Sequence, residues 1–482
     1  MLVISCDSAD PLVRAGAAHF AEKYGIPFRV REGDGLRLEY GGAGEEFRIR
    51  IRENRVGGFS SEVRWRGDTI PVLEEPRVFK GFDRALAFCG ESPCAVLRGN
   101  GIELGIDVFR EVGYLLTGGM DAEVKRLPGE EAARLLALPI ADLLEDLLLE
   151  LLLLLSRRAN LPLVRKPFWP PRYSFAVCLT HDVDEVRKSY QWLTWPLRRA
   201  KAGDFAYLKH QLLSLAEKLR GREPFWTFER IMEVERRLGV RSTFYFLQES
   251  GKVRLLSPET WKLYARRYEL NRRLARVIRE LSEDGWEVGL HGSYYSFKNE
   301  ELLRREKARL EAVLGKKVAG IRQHHGNLSI PLTWELQERA GFAYDTSLLP
   351  RGEAGFRWGT CFPFSPRFDG KALGLIEIPT IFMDTPYFMR GPAEAERRCM
   401  RLLHAVKRRG GVLNLLFHHT VFNPREFPGW AELYQRLIQR ARSMGAWITT
   451  AGEVAEWWRR RRGWSAPAEF ADSKIKIVAE NQ

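Results

Sequence analysis

The sequence predicts an α/β protein with a distorted (β/α)7-type barrel at its C-terminal end, preceded by a smaller mixed α/β domain. Short apolar segments alternate with amphipathic ones after residue 166, which is typical of buried parallel strands joined by helices. Several apolar segments end in polar residues, as expected of a barrel with a site at one rim. The segment RKPFWPPRY can continue neither a helix nor a central strand, so it separates the two parts.

We therefore divide the 482 residues into an N-terminal α/β domain of unknown role (1–165), a barrel (166–463) and a tail with a short strand, KIKIVAE (464–482). Hydrophobic residues make up 45% of the chain and charged residues 29%, which excludes disordered and fibrous classes. Six cysteines are too few for a disulfide framework. The first residues lack the pattern of a signal peptide, so we expect a cytoplasmic protein.

The N-terminal domain begins with a predicted strand, MLVIS, and a helix over Pro11–Tyr24 that ends at Gly25. The alternating pattern of Leu36–Val56 predicts a β-hairpin with glycines between its strands. Neither clustered carboxylates nor a phosphate-binding loop is visible here. This part of the sequence therefore predicts a fold and no function.

Residues 137–155 are rich in leucine and raise the question of a membrane-spanning helix. Four acids, Asp142, Glu145, Asp146 and Glu150, fall on one stripe of such a helix. Each would cost about 2.5–3.5 kcal/mol in a bilayer on insertion scales. We therefore predict an amphipathic helix packed on a domain core and no transmembrane segment.

The net charge of +14 is unevenly distributed. Residues 1–165 contain 22 basic and 26 acidic residues, so the basic excess lies in residues 166–482. A basic surface could attract an anionic glycan or a nucleic acid. No recognised nucleic-acid motif accompanies the charge, so nucleic acid is not an expected partner. The run WWRRRR ends a predicted helix, Ala451–Arg462, where solvated cations suit the helix dipole.

Seven apolar segments are the predicted strands of the barrel. They are Phe175–Asp184, Ser242–Gln248, Trp286–Tyr294, Val318–His325, Gly374–Thr380, Gly411–His419 and Ala446–Thr450. The stretches between them predict helices such as Asn299–Leu314, which begins at a capping residue and ends at Gly315.

Six of the nine histidines lie at the ends of four of these strands: His181, His291, His324, His325, His418 and His419. A single histidine on an apolar face is more often a core residue than a ligand. Six at corresponding strand ends are hard to explain in that way. Together with Asp182 and Asp184, they form a set of imidazoles and carboxylates that suits a divalent metal such as zinc.

The segments THDVD, HGSYYS, RQHH and LLFHH resemble, in order and spacing, the motifs of the polysaccharide deacetylase family (carbohydrate esterase family 4, NodB-homology barrel). The resemblance covers about Ser174–Arg459. It implies a distorted β/α barrel that uses a divalent metal, with zinc expected, to remove acetyl groups from N-acetylated sugars. A further segment, Gly355–Asp369, is similar to one in a bacterial subgroup that has an uncharacterised N-terminal domain.

The resemblance implies a role for each matching residue. Asp182 matches the general base, Arg322 the arginine that keeps this base ionised, and His418 the acid that protonates the leaving amine. Asp184 and His291 match metal ligands. Two residues separate this sequence from the usual pattern: Val183 stands between the two aspartates, and Tyr295 stands where a second metal histidine is expected.

A third protein ligand must then come from elsewhere, and His324 and His325 are both candidates. Because side chains alternate along a strand, we expect His181 and His419 to face away from the metal. Tyr294 and Trp358 are predicted to contact the substrate, although packing roles remain alternatives for both.

These observations predict a metal-dependent hydrolase that removes N-acetyl or similar acyl groups from an amino-sugar-containing glycan or glycan precursor. Two alternatives stay open. One is hydrolysis of a non-sugar C–N bond, and the other is a non-catalytic protein that binds a glycan or polyanion on a degenerate barrel. The sequence leaves the oligomeric state undetermined.

Overall fold

The computed structural model describes residues 1–463 except 7–9, 34, 43, 53–54, 202, 250–262, 264–265, 351 and 369–370. The predicted strand of the tail lies outside the described residues. Two nine-stranded sheets organise the described chain, one before and one after the proline-rich segment, and a two-stranded sheet accompanies the second.

The first nine strands form one sheet, in the order β2-β3-β1-β4-β9-β8-β7-β5-β6. They are β1 (Leu2–Cys6), β2 (Arg29–Gly33), β3 (Gly35–Tyr40), β4 (Phe47–Ile51), β5 (Arg55–Trp65), β6 (Asp68–Glu75), β7 (Arg84–Cys89), β8 (Ser92–Arg98) and β9 (Gly101–Leu104). The helices of this part are α1 (Pro11–Tyr24), α2 (Val108–Leu116), α3 (Gly119–Arg126), α4 (Gly129–Leu136) and α5 (Ile140–Arg158).

The hairpin predicted over Leu36–Val56 is wrong, although two strands lie within this segment. β1 pairs antiparallel with β3 and parallel with β4, so it lies between them. The apolar alternation of both strands reflects the buried face that they share with β1, and this pattern does not specify which strand is the neighbour.

Helix α1 has the predicted bounds, and local signals account for both ends. The carboxylate of Asp10 accepts a hydrogen bond from the backbone of Leu12 (2.8 Å), and Pro11 occupies the first turn. Gly25 follows the helix at a φ of 61°, a left-handed conformation that glycine adopts at little cost.

Helix α5 confirms the predicted leucine-rich packed helix. Its leucines lie in the core, and Asp142 and Glu145 are also fully buried. Both carboxylates contact the ammonium of Lys23 on α1 at 2.9 Å. Buried acids of this kind require partners, which α1 supplies. In the described part of the chain, no helix is long and apolar enough to cross a membrane.

The second part contains the remaining strands and helices. The strands are β10 (Phe175–Val183), β11 (Thr243–Leu247), β12 (Glu287–Gly292), β13 (Gly320–Gln323), β14 (Tyr344–Asp345), β15 (Arg367–Phe368), β16 (Lys371–Ala372), β17 (Ile376–Glu377), β18 (Thr380–Met383), β19 (Val412–Leu416) and β20 (Ala446–Thr449). The helices are α6 (Gln191–Lys201), α7 (Ala206–Leu219), α8 (Phe228–Leu238), α9 (Arg272–Glu283), α10 (Glu300–Leu314), α11 (Leu332–Arg339), α12 (Pro392–Arg409), α13 (Trp430–Ser443) and α14 (Ala451–Gly463).

The second sheet confirms the predicted barrel class. Its strands follow the order β17-β14-β13-β12-β11-β10-β19-β18, with β20 also paired to β10, and its pairings are parallel. Arg322 on β13 hydrogen-bonds both Thr180 on β10 and Thr380 on β18. Strands so far apart in the order can share one side chain only because the sheet curls. In the described residues the end strands β17 and β18 do not pair, so the barrel is open.

The two parts share a buried interface that involves residues 355–368. Arg357 forms two hydrogen bonds to the carboxylate of Asp121 on α3 (2.6 and 2.9 Å). The carboxylate of Asp142 accepts hydrogen bonds from Thr360 and from the backbone of Cys361, both at 2.8 Å. This segment therefore contributes to the contact between the two parts.

The prediction that the WWRRRR run is solvated is wrong for Arg461. This side chain is buried, and its guanidinium donates to backbone carbonyls of Glu22 and Lys23 at the end of α1. Helix C-termini leave carbonyls unsatisfied, and a cation that binds them compensates its own burial.

Candidate active site

The predicted site residues converge on one edge of the curled sheet. Five of them lie on or just after the C-terminal ends of β10, β12, β13 and β19: Asp182, Asp184, His291, His324 and His418. They line a cavity of about 450 Å³. Parallel strands end at the same edge, which is why residues far apart in the sequence meet here.

Asp184, His291 and His324 form a cluster that could hold a metal ion, and their ligand atoms all lie within 4.8 Å of one another. We call these three residues the metal cluster. Oδ1 of Asp184 lies 3.2 Å from Nε2 of His291, and Oδ2 lies 3.8 Å from Nε2 of His324. One carboxylate and two imidazoles are a common ligand set of catalytic zinc.

The surroundings of this cluster fit a cation. Nδ1 of His291 lies 2.8 Å from the carbonyl oxygen of Arg322. A proton on Nδ1 leaves the lone pair of Nε2 facing Asp184, as in metal-binding histidines. Oδ1 of Asp184 is buried and has no hydrogen-bond partner among the described residues. Asp182 and Asp184 outweigh burial and raise the pKa of His291, so either a proton on Nε2 or a metal cation bound by both atoms would stabilise this arrangement.

Arg266 is a basic neighbour of this cluster that the sequence argument did not include. Its Nη1 lies 2.7 Å from Nε2 of His324 and 3.6 Å from Oδ2 of Asp184. A metal ion that binds His324 through Nε2 must replace the first of these contacts. Nδ1 of His324 lies 3.6 Å from the carboxylate of Glu249, which can orient the ring.

Asp182 and Arg322 form a buried ion pair at the bottom of the site. The guanidinium donates to Oδ1 of Asp182 at 2.7 Å and to the hydroxyls of Thr180 and Thr380 at 3.0 and 3.2 Å. Burial opposes ionisation of Asp182, but Arg322 and the nearby histidines outweigh it and lower the pKa of the carboxyl. Asp182 is therefore ionised at neutral pH and can accept a proton.

His418 is held by Asp384, a fully buried residue after β18. The carboxylate of Asp384 lies 2.7 Å from Nδ1 of His418 and accepts a hydrogen bond from its backbone N–H, also at 2.7 Å. Burial opposes the imidazolium, but Asp384, Asp184 and Asp182 outweigh it and raise the pKa of His418 to about 9. His418 is therefore protonated at neutral pH and can donate a proton through Nε2.

Asp384, Arg266 and Glu249 contact the predicted site residues and were not predicted from the sequence. Asp384 directly follows the strand Thr380–Met383, whereas the strand predicted from the sequence, Gly374–Thr380, ends four residues earlier. Arg266 lies on no predicted strand end, and no sequence signal places it near the site.

His181 does not line the cavity, as strand alternation predicts, whereas the expectation for His419 is wrong: it lies in a short 3-10 helix after β19 and lines the same cavity as the metal cluster. Nε2 of His181 lies 2.9 Å from the buried carboxylate of Glu235, on the far side of the sheet from the metal cluster. His419 packs on Phe228 with a centroid distance of 5.5 Å, and its Nδ1 lies 3.1 Å from the carbonyl oxygen of Asp182. Both side chains have packing and hydrogen-bonding roles.

His325 borders the cavity but lies outside the metal cluster. Its backbone has a φ of 58°, and its ring packs on those of His324 and Tyr294. Burial, His324 and Arg266 lower the pKa of His325 to about 3. Geometry therefore favours His324 over His325 as the third ligand.

Neither of the two residues predicted to contact the substrate, Tyr294 and Trp358, lines the cavity. Tyr294 packs edge-on against His325 (5.7 Å between centroids) and is absent from the described residues that line the cavity. Trp358 is only 1% exposed and packs against Trp334 and Phe364 near the domain interface. A buried ring offers no face to a ligand, so the position of Trp358 argues against the predicted contact.

No protein-family model matches this sequence, and no curated protein matches it. Among solved structures, a candidate polysaccharide deacetylase from Mycobacterium smegmatis is 21% identical with a TM-score of 0.42, over 61% of this chain and 93% of its own. Puue allantoinase is 15% identical with a TM-score of 0.42, over 62% of this chain and 95% of its own. A candidate polysaccharide deacetylase from Pseudomonas aeruginosa PAO1 is 16% identical with a TM-score of 0.42, over 64% of this chain and 98% of its own. The similar structures thus include polysaccharide deacetylases, which the four motifs resemble.

Proposed function

We propose that this protein is a metal-dependent hydrolase that removes an N-acetyl or similar acyl group from an amino-sugar-containing glycan or glycan precursor. One observation carries the proposal: a proton acceptor and a proton donor lie beside the same metal cluster. Asp182 approaches His291 to 3.6 Å, and His418 approaches Asp184 to 3.8 Å. Amide hydrolysis needs both groups together with stabilisation of charge on the carbonyl oxygen.

Each group has the protonation state that its role requires. Arg322 keeps Asp182 ionised, so Asp182 can take a proton from the attacking water. Asp384 keeps His418 protonated, so His418 can give a proton to the departing nitrogen. When bound to Asp184, His291 and His324, a divalent ion such as zinc supplies Lewis-acid chemistry that polarises a carbonyl and acidifies water.

The cavity wall supports a sugar as the substrate. Trp195, Phe225 and Phe388 line it together with Tyr190 and the basic Arg198. Aromatic walls with a few polar groups are typical of small-molecule sites, and aromatic faces stack well on the apolar faces of sugar rings. A sugar with an acylated amine would satisfy both the wall and the proposed chemistry.

The decisive experiment is acetate release from an N-acetylglucosamine oligosaccharide by zinc-loaded wild type and Asp182→Asn. We expect kcat to fall by about 10²–10⁴-fold because the proton acceptor is lost. Asp284→Asn, at an exposed ion pair with Arg236, is the matched control and should retain wild-type turnover. Unchanged turnover by zinc-loaded Asp182→Asn would refute the proposal that Asp182 is the base.

A second candidate is a non-catalytic protein that binds a glycan or polyanion. The contact between Arg266 and Nε2 of His324 favours it, since a cation of the chain already meets a nitrogen that a metal would need. Zinc titration followed by calorimetry separates the candidates. Stoichiometric zinc binding supports the hydrolase, whereas absence of zinc binding with salt-sensitive binding of a polyanion supports the second candidate.

A further inference from the structure

Helices α6 and α7 expose an unusual number of large apolar side chains. On α7, Leu208, Leu212, Leu215 and Leu219 follow one another at spacings of four, three and four residues and form one stripe. Leu212 is 70% exposed and Leu219 is 82% exposed. Single exposed leucines are ordinary on protein surfaces, but a contiguous apolar patch marks an interaction site.

The orientation of α7 is the reverse of that expected for a surface helix. Its inward side is polar: Tyr207, Gln211 and Ser214 donate hydrogen bonds to the buried carboxylate of Glu426 at 3.1, 2.9 and 2.5 Å. The ammonium of Lys188 contacts the same carboxylate at 2.7 Å. These specific buried bonds hold the helix with its leucines facing outward.

Helix α6 continues the apolar patch to the mouth of the active-site cavity. Leu193 is 74% exposed, and Leu197 lies one turn further along the same helix face. Thr194, Trp195 and Arg198 of this helix line the cavity. The helix thus exposes leucines on one side and borders the proposed site on the other.

The charge of the two helices indicates what covers the patch. Residues 191–222, which comprise both helices and the adjoining turns, contain seven basic and two acidic residues. Two of the basic residues, Arg199 and Lys218, pair with Asp204 and Glu223, which leaves five for other contacts. A second copy of the chain, packed through the same patch, would bring two such basic surfaces together. A bilayer of anionic phospholipids offers both an apolar interior for leucines and negative charge for lysines and arginines.

We propose that α6 and α7 dock this protein on the surface of an anionic phospholipid membrane, beside the mouth of the cavity. Resting on the proposed hydrolase function, we further infer that the substrate is a glycan precursor presented on a lipid anchor at that surface. Peripheral docking requires only shallow insertion of the apolar stripe.

The full chain can be tested by co-sedimentation with phosphatidylglycerol vesicles and with phosphatidylcholine vesicles. We expect binding to the former that weakens between about 0.05 and 0.5 M NaCl, because salt screens the charges. Leu212→Ser combined with Leu219→Ser should lower the partition coefficient at least about tenfold, since two apolar side chains are lost. Val30→Ser combined with Val78→Ser, at exposed valines of the N-terminal domain, should bind as wild type does.

Three results would overturn the docking proposal. The first is no binding to phosphatidylglycerol vesicles at low salt, and the second is full binding by the double-leucine variant with a wild-type circular dichroism spectrum. The third is a wild-type dimer in light scattering that this variant converts to monomer, which would assign the patch to a second copy.

The substrate inference has its own readout. Turnover of an N-acetylated oligosaccharide on a lipid anchor in phosphatidylglycerol vesicles is compared with turnover of the same oligosaccharide in solution. We expect the double-leucine variant to lower the ratio of these rates about tenfold. An unchanged ratio would overturn the lipid-anchored substrate. Vesicle binding by a wild type that hydrolyses neither substrate would instead refute the proposed hydrolase and uphold the docking.

Discussion

The side chain that distinguishes this site at the residue scale is Asp384. It contacts both the ring and the backbone of His418, so it sets the position of the imidazole and its charge together. A histidine without such a carboxylate would be largely neutral at physiological pH. The proposed proton donor therefore depends on a residue that itself does not contact the metal cluster in the described structure.

Replacing Asp384 by Asn should move the alkaline limb of the pH–rate profile. The acid form of His418 is required, so kcat/KM falls as pH rises through its pKa. Because Asp384 raises this pKa, the isosteric amide should shift the limb to lower pH, and turnover should survive best in mildly acidic buffer. The profile of kcat/KM from pH 5 to 10 measures the shift. A limb at the wild-type position would contradict the role of Asp384.

The third ligand of the metal cluster can be decided at the same scale. We expect elemental analysis to find zinc lost from His291→Ala and from His324→Ala, because each removes one of three protein ligands. His325→Ala is the matched control, since it removes the neighbouring imidazole, and it should retain zinc. Full occupancy in His324→Ala with loss in His325→Ala would reverse the assignment.

At the scale of elements, the acids of helix α5 hold it against helix α1. Asp142 and Glu145 meet Lys23, and His19 lies 2.7 Å from Glu145. Burial opposes ionisation of Glu145, but His19 and Lys23 outweigh it and lower the pKa of this carboxyl. Two acids of the stripe that argues against a membrane span, Asp142 and Glu145, therefore belong to a buried network.

Removing one member of this network should leave its partners buried without compensation. We expect Glu145→Ala to lower the free energy of unfolding by about 3–5 kcal/mol. Glu150→Ala, on the same helix at a partly exposed pair with Arg66, should change it by less than about 1 kcal/mol. Urea denaturation measures both values. Equal effects of the two substitutions would contradict the difference in burial.

At the scale of the whole molecule, the two parts are joined by buried polar contacts as well as by apolar packing. Arg461, near the end of the described chain, binds carbonyls of Glu22 and Lys23, and Arg409 on α12 contacts Asp146 on α5 at 2.6 Å. The contacts of Arg461 join α1 to α14, the last helix of the described residues, and the contact of Arg409 joins α12 to α5. The two parts should therefore depend on each other for stability.

Scanning calorimetry of the full chain should accordingly show one cooperative transition, although domains of this size often unfold separately. Arg461→Met should lower the midpoint by a few degrees, because carbonyls at the end of α1 lose their donor. Arg460→Met, at an exposed pair with Glu456, is the control. Two resolved transitions in the wild type would show that the parts unfold independently.

The sequence by itself was enough to predict the barrel class, several of its strands and most of the site residues at their ends. Helix α10 (Glu300–Leu314) illustrates why. The side-chain oxygen of Asn299 accepts a hydrogen bond at its start, and Gly315, at a φ of 75°, ends it. Such signals are local. The alternation of side chains along β10 is also local, and it places His181 and Asp182 on opposite faces of the strand. Asp182, Asp184, His291 and His418 could be found in this way because each adjoins a recognisable strand.

The tertiary structure decided the pairings, for which local pattern carries no information. It placed β1 between β3 and β4, where the sequence predicted a hairpin, and it favoured His324 over its neighbour His325. It buried Trp358 and Arg461 at the domain interface and brought Arg266 and Asp384 to the site. Sequence patterns report which face of an element is buried, whereas the partner on that face depends on how the whole chain folds.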